Sequence, residues 1–395
     1  MITLTTPFLP DFYPYLSPAY REKKAIYFDI ETTGLSAQSS YVYLIGCAYE
    51  EEGTYYLSQW LCTEPSEEKE LLRIFFEKVQ EYDLIVHYNG TVFDLPFLEK
   101  KAKRHCISSP LSDLESLDLY SVARNRKSLF SLPNLKLKTM EEFFGFPRAD
   151  IFSGGDLIEV YAKFLGLHHL NSLTGNSKEQ EETALRHVLL LHNAEDVKNL
   201  PSLTILLLLQ NLGTVITKDS LCSYDLTATD TGCPNALTLT YQLPFSLKKG
   251  LSFSIPWESA GPKLSLTETG CLVLSLPVSE RELKHFYPNP ADYYYLPLED
   301  CAMHKSVASF VEKQYRKKAT AATCYTKKFG TFIPLGIVTK EKEAGESATA
   351  SLPCFLSDYK SIYAYTPLTK ELLESPELLT SLAKELLRAF LADKT

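Results

Sequence analysis

Apolar positions along the first 212 residues follow two rhythms, a strand alternation and a helical period, and their succession predicts the order β-β-β-α-β. The first strand is expected at about residues 24 to 30. Tyr41–Tyr49 and Thr54–Leu61 are rich in β-branched and aromatic residues and are separated by Glu50-Glu-Glu-Gly53, which predicts an antiparallel hairpin beside that strand. Ser66 and Glu70 with the apolar positions Leu71, Leu72, Phe75, Phe76 and Val79 predict an amphipathic helix before a short strand at Leu84–His87. Asn89-Gly90 reads as a turn, followed by a helix from Asp94 to about His105 and a strand near Leu114–Leu119. Two or three short helices are expected between Met140 and Gly166, and a longer one from about Glu181 to Leu200. Residues 1–22, with Pro7, Pro10, Pro14 and Pro18, read as an extended arm on the surface of a first domain spanning 23–212. These elements specify an α/β class, a mixed sheet flanked by helices.

After Leu212 the texture changes to Thr-, Ser- and Pro-rich segments with alternating apolar positions, such as Ala236–Tyr241 and Cys271–Leu276. A smaller α+β domain over 213–395 is expected. Within it a helix is read from about Glu299 to Ala319, with Met303, Val307, Phe310 and Val311 on one side and Lys305, Lys313, Arg316 and Lys317 on the other. A loop at Glu341–Thr349, a strand near Ser361–Tyr365 and an amphipathic helix from about Thr369 to Ala392 complete the reading.

Composition bounds the function. The chain has 395 residues, 45% hydrophobic and 23% charged, with a formal charge of -9. That balance argues against nonspecific coating of nucleic acid. The deficit is uneven: about 20 basic and 29 acidic side chains lie in residues 1–212, and the remainder is close to neutral. The nine cysteines are scattered, with no C-x-x-C and no zinc spacing, which suits reduced thiols. No secretory pattern opens the chain and no apolar run is long enough to span a bilayer, so a cytoplasmic protein without membrane contact is expected.

The candidate chemistry lies in carboxylates. In Ala25-Ile-Tyr-Phe-Asp-Ile-Glu-Thr-Thr-Gly-Leu35 an apolar strand ends in Asp29 and Glu31, two residues apart and therefore on one face. Two such carboxylates repel each other and are costly to desolvate unless a cation holds them. Asp94 stands at a helix start. On the later helix Leu185, Leu189, His192, Asp196 and Leu200 fall within an arc of about 80°, which puts His192 and Asp196 in the apolar face. A carboxylate pointing into the protein needs a partner. Four carboxylates from separate elements suit two hard cations, Mg²⁺ or Mn²⁺, acting on a phosphodiester.

Phe28-Asp-Ile-Glu-Thr-Thr-Gly-Leu35, Asn89-Gly-Thr-Val-Phe-Asp94 and His192-Asn-Ala-Glu-Asp196 resemble the three exonuclease motifs of the DEDD superfamily, which has the ribonuclease H-like fold. Together with Leu137–Arg148 they are most similar to the YprB-type ribonuclease H-like proteins of bacteria, over about residues 20–212. The resemblance implies a 3′-to-5′ exonuclease core in which Asp29, Glu31 and Asp196 are the main ligands of two ions. It implies that Asp94 holds the second ion through water and that Leu35 and Phe93 contact the terminal bases. Thr32 and Asn89, in the same motifs, are expected to meet the strand as well. The third motif has the Tyr-x3-Asp spacing of the tyrosine branch, but with His192 in place of tyrosine. One helical turn from Asp196, that imidazole could orient or deprotonate the attacking water.

The expected substrate is a single-stranded DNA or RNA end, with Lys305, Lys313, Arg316 and Lys317 as further contacts. A protein partner is expected at the C-terminal domain. The alternatives are a nucleic-acid-binding or scaffold protein that keeps the fold without hydrolysis, and an endonuclease acting on structured substrates.

Overall fold

The computed structural model describes residues 1–12, 14–130, 132–175, 178–228, 234–244, 246–247, 249–255, 257–258, 260–338 and 352–391. The loop expected at Glu341–Thr349 lies outside them. The chain forms two compact units, Met1–Gln210 and Asn211–Thr395.

In the first unit the elements run β1 (Ile2–Phe8), β2 (Ala25–Thr32), β3 (Val42–Glu51), β4 (Thr54–Leu61), α1 (Glu68–Val79), β5 (Leu84–His87), α2 (Asp94–His105) and β6 (Glu115–Asp118). They continue with α3 (Leu119–Arg124), α4 (Lys127–Phe130), α5 (Leu137–Phe144), α6 (Gly154–Thr174), α7 (Glu179–Lys198), α8 (Leu200–Leu203) and α9 (Ile205–Val215). The six strands make one sheet in the order β1-β4-β3-β2-β5-β6. The β1, β2, β3 and β4 pairings are antiparallel, and β2, β5 and β6 run parallel.

Central position in the sheet explains the composition of β3: Val42 through Tyr49 are all buried, so both faces are covered. The two covers are distinguishable at β2. The ring of Phe28 packs on Phe75 of α1 with centroids 5.4 Å apart, whereas the neighbouring Asp29 is reached from the other side by Asn193 of α7. Helix α7 packs across β2, β3 and β4 and is itself backed by α6.

Two sequence expectations are corrected here. Residues 2–8 are a sheet strand paired with β4 from Ile2↔Leu61 to Phe8↔Tyr55, where an extended arm was expected. The prolines that suggested an arm lie mostly after this strand, and Pro7 sits near its end. Between Met140 and Gly166 lie two helices, the end of α5 and the start of α6, within the expected number; α6, however, is a 21-residue helix where a short one was expected, and Ser153 and Asp156 form the capping box that starts it.

The second unit is rich in strands. β7 (Leu221–Ala228), β8 (Pro234–Gln242), β9 (Leu251–Ser254), β10 (Lys263–Leu266) and β11 (Cys271–Pro277) form an antiparallel sheet in the order β7-β8-β11-β10-β9. Two three-stranded sheets follow, built from β12 (Ser279–Phe286), β13 (Tyr293–Leu296), β14 (Cys301–His304), β15 (Lys317–Lys318), β16 (Tyr325–Ile337) and β17 (Tyr363–Pro367). Their orders are β12-β16-β17 and β14-β13-β15. The helices are α10 (Lys305–Ala308), α11 (Lys370–Glu374) and α12 (Pro376–Leu391), so the expected C-terminal helix is broken at Ser375–Pro376.

The continuous helix expected over 299–319 is absent. Asp300, at φ 49°, turns β13 into β14, and the helical content is limited to α10 and a 3₁₀ turn at Lys313–Tyr315. Its supposed apolar side is not buried: Val307 is 56% and Phe310 91% exposed. Lys305, Lys313, Arg316 and Lys317 therefore share no helix face. The Arg316 guanidinium lies 4.8 Å from the centre of the Tyr294 ring and donates to the Ala308 carbonyl.

Candidate active site

The strand β2 delivers Asp29 and Glu31, and its register with β3 shifts between Glu31 and Thr32. Such a bulge re-aims side chains at the end of a strand. Asp29 stands opposite Gly46, and Gly46 opposite Gln59 on β4. Asn193 of α7 fills the space over Gly46: a Cβ there would meet its Oδ1 at 2.1 Å. Gln59 Nε2 donates to that oxygen at 2.9 Å, which directs Asn193 Nδ2 toward Asp29, 3.5 Å from Oδ2.

Asp94 begins α2 after a tight turn. Asn89, at φ 64°, donates its N–H to Asp118 Oδ1 at 2.8 Å, and Gly90 N–H donates to His87 Nδ1 at 3.1 Å. With Nδ1 accepting, His87 carries its proton on Nε2 and donates to Ser116 Oγ at 2.8 Å. Burial keeps this ring neutral, with its pKa lowered to about 4. Gly90 is required: a Cβ would sit 2.8 Å from the His87 ring and 3.1 Å from Asp94 Oδ2. The Asp94 carboxylate accepts from the backbone N–H of Ile30, the residue between Asp29 and Glu31, which ties the helix start to β2.

Helix α7 contributes His192 and Asp196, one turn apart. His192 Nε2 lies 3.6 Å from Glu31 Oε1 and 3.4 Å from Asp196 Oδ2. Its other nitrogen, Nδ1, is 2.7 Å from Asp150 Oδ2. Asp150 belongs to the loop between α5 and α6, and so does Arg148. The Arg148 guanidinium contacts Asp196 Oδ1, Glu141 Oε2 at 2.7 Å, Asp150 Oδ2 at 3.3 Å and Glu195 Oε2 at 3.6 Å. Glu195 in turn accepts the backbone N–H groups of Ala149 and Asp150 at 2.8 and 2.9 Å, fixing the loop to α7.

The carboxylates oppose one another. Burial, then Asp94, Asp196 and Glu31, push the Asp29 pKa well above the usual carboxylate range. Burial and then Asp196, Asp94 and Asp150 do the same to Glu31, against the lowering effect of Arg148. Asp94 is raised to about 7, chiefly by burial. Such a group of acids is protonated or neutralised by a cation. The donor set fits a metal: one ligand atom each from Glu31, His192 and Asp196 lie within 4.8 Å of one another.

The sequence-derived residues thus fall into three groups. Asp29, Glu31, Asp94, His192 and Asp196 converge. Thr32, Leu35, Asn89 and Phe93 border the ends of β2 and the start of α2: Thr32 Oγ1 donates to the Gly34 carbonyl at 3.0 Å, Leu35 is 88% exposed, and the Phe93 ring packs on Phe97. Lys305, Lys313, Arg316 and Lys317 belong to the second unit. Sequence reasoning missed Gly46, Arg148, Asp150 and Asn193. The only local signal for the loop pair was an arginine and an aspartate two residues apart, just after the left-handed Gly145 that ends α5.

The mixed sheet with flanking helices, with Asp29 and Glu31 near the end of β2, gives the first unit a ribonuclease H-like fold. Residues 26–208 match the family model RNase_H_2 of the RNase_H superfamily. No curated protein matches the chain. A similar solved structure is the family B DNA polymerase from the hyperthermophilic archaeon Pyrobaculum calidifontis, at 20% identity and a TM-score of 0.35. The match covers 48% of this chain and 25% of that one, so the chain spans about a quarter of the polymerase. No helix among the described residues is long and apolar enough to cross a membrane.

Proposed function

We propose that the chain is a metal-dependent 3′-to-5′ exonuclease hydrolysing phosphodiester bonds at single-stranded DNA or RNA ends. The observation that carries the reading is the convergence of Asp29, Glu31, Asp94 and Asp196; burial and the neighbouring carboxylates push the pKa values of Asp29, Glu31 and Asp94 upward. Ions held there, Mg²⁺ or Mn²⁺, would supply charge stabilisation of the phosphate and an acidified water. In this reading Asp29, Glu31 and Asp196 hold the ions, and Asp94, anchored to β2, holds the second through water. Asn193 orients Asp29, and Arg148 and Asp150 brace Asp196 and His192 from the α5–α6 loop. The exposed side chain of Leu35 and the ring of Phe93 meet the terminal bases, while Thr32 and Asn89 hold the backbone around them. Lys305, Lys313, Arg316 and Lys317 offer further contacts for the strand, and the second unit is the place for a protein partner.

The test is cleavage of 5′-labelled single-stranded DNA and RNA by the full chain with Mn²⁺ or Mg²⁺. A ladder shortening from the 3′ end, abolished by Asp29→Ala, is the expected result. Internal cuts would replace the exonuclease by an endonuclease, and intact substrate in the presence of bound metal would overturn hydrolysis altogether.

A further inference from the structure

We propose that His192 Nε2 is itself a metal ligand, forming with Glu31 and Asp196 a mixed nitrogen and oxygen site that selects Mn²⁺ over Mg²⁺, with Asp150 as its positioning residue. The proposal rests on the reading of this site as a metal centre and deepens it by assigning the donors.

The first argument is the tautomer. Asp150 is buried and accepts from Lys138 Nζ at 2.8 Å and from the Phe152 N–H at 3.1 Å, and Arg148 lies 3.3 Å from the same Oδ2. With these donors around it, Asp150 serves as a hydrogen-bond acceptor on both oxygens. An ionised carboxylate only accepts, so the imidazole proton is on Nδ1, 2.7 Å away. Nε2 then presents its lone pair to Glu31 and Asp196.

The second argument is distance. If the ring were an imidazolium, Nε2–H would close on one carboxylate oxygen at about 2.7–2.9 Å. It closes on neither, standing 3.4 Å from Asp196 Oδ2 and 3.6 Å from Glu31 Oε1. A lone pair aimed between two carboxylates is unfavourable without a cation among them. Donors about 2.1 Å from a divalent ion lie about 3 Å apart as neighbours and about 4.2 Å apart across it. The three atoms here lie within 4.8 Å of one another.

The third argument is the frame. The carboxylate, imidazole and metal sequence is the usual way in which a protein fixes the tautomer and orientation of a ligating histidine. Asp196 is treated in the same manner, with Oδ1 taken by Arg148 and Oδ2 left on the His192 side. Both α7 donors are therefore oriented by one loop. Mg²⁺ demands oxygen ligands and keeps several of its waters, whereas a transition-metal dication such as Mn²⁺ also accepts an imidazole nitrogen.

The experiment titrates the metal-stripped full chain with Mn²⁺ alone and records pulsed electron paramagnetic resonance of the bound ion, with calorimetric affinities for Mn²⁺ and Mg²⁺. The expected result is a ¹⁴N coupling in the wild type that disappears in His192→Gln, with Mn²⁺ affinity falling about 10–100-fold and Mg²⁺ affinity much less. Asp150→Asn should retain the coupling and weaken Mn²⁺ binding about tenfold. Bound Mn²⁺ without ¹⁴N coupling in the wild type overturns the proposal, as does a failure to bind Mn²⁺. Nitrogen-ligated Mn²⁺ in a chain that cuts no oligonucleotide would sink the exonuclease reading and leave the ligand standing; Mn²⁺-dependent cleavage without the coupling would do the reverse.

Discussion

Gly46 and Asn193 occupy one space: a Cβ on the glycine would lie 2.1 Å from the asparagine Oδ1 and 3.0 Å from its Cγ. Helix α7 can lie this close to the sheet only because β3 has no side chain at the position facing Asp29. Gly46→Ala should therefore cost about 1–3 kcal/mol in urea denaturation. Combined with Asn193→Ala, which removes the two Asn193 atoms and leaves only Val197 Cγ2 at 3.1 Å, it should cost clearly less than the sum of the two single changes. Strict additivity in this double-mutant cycle would show that the contact does not limit helix docking.

The acidity of Asp94 gives a pH dependence of known sign. Its folded pKa is about 7 against an unfolded value near 3.9, so between those limits the folded state holds more protons than the unfolded one. The contribution of this group to stability is intact below about pH 4 and is lost as pH rises to about 7. In chelator, Asp94→Asn should raise the melting temperature at pH 8, with a gain that shrinks toward pH 4. Equal shifts at both pH values would contradict a carboxyl strained by its surroundings.

Arg148 is 10% exposed and faces Glu141, Asp150, Glu195 and Asp196. Arg148→Met keeps much of the volume and leaves these carboxylates without their shared cation, a change worth about 3–5 kcal/mol. Denaturation midpoints should fall more at pH 8 than at pH 4, where protonation relieves the repulsion. A loss independent of pH would assign Arg148 a packing role instead.

Leu35 has 88% of its surface exposed and therefore adds little to the core. Leu35→Ser should leave the melting temperature within about 1 °C and raise KM for an oligonucleotide several-fold with a smaller change in kcat, since an exposed surface substitution costs little stability. An unchanged KM would remove Leu35 from the substrate contacts.

What could be read from the sequence was whatever local periodicity encodes. Asp29 and Glu31 follow from a strand alternation, and His192 and Asp196 from their place in a helical apolar face, so these four carried their orientation with them. Asp150 and Asn193 did not. Asp150 acts on a residue 42 positions away and Asn193 on one 164 positions away, through contacts that exist only after the sheet and α7 have met. The expected helix over 299–319 failed for the opposite reason: its apolar spacing was real, but Val307 and Phe310 are left exposed by a hairpin turn at Asp300. Periodicity reports a helix only when something packs on the periodic side.

The placement of α7 also sets a schedule. Asp29 and Glu31 leave the ribosome roughly 160 residues before His192 and Asp196, and at about 5–20 residues per second that interval is on the order of ten to thirty seconds. Through it the growing chain carries Asp29 and Glu31 without His192 or Asp196. The cluster that His192 and Asp196 complete cannot form before α7 has been made.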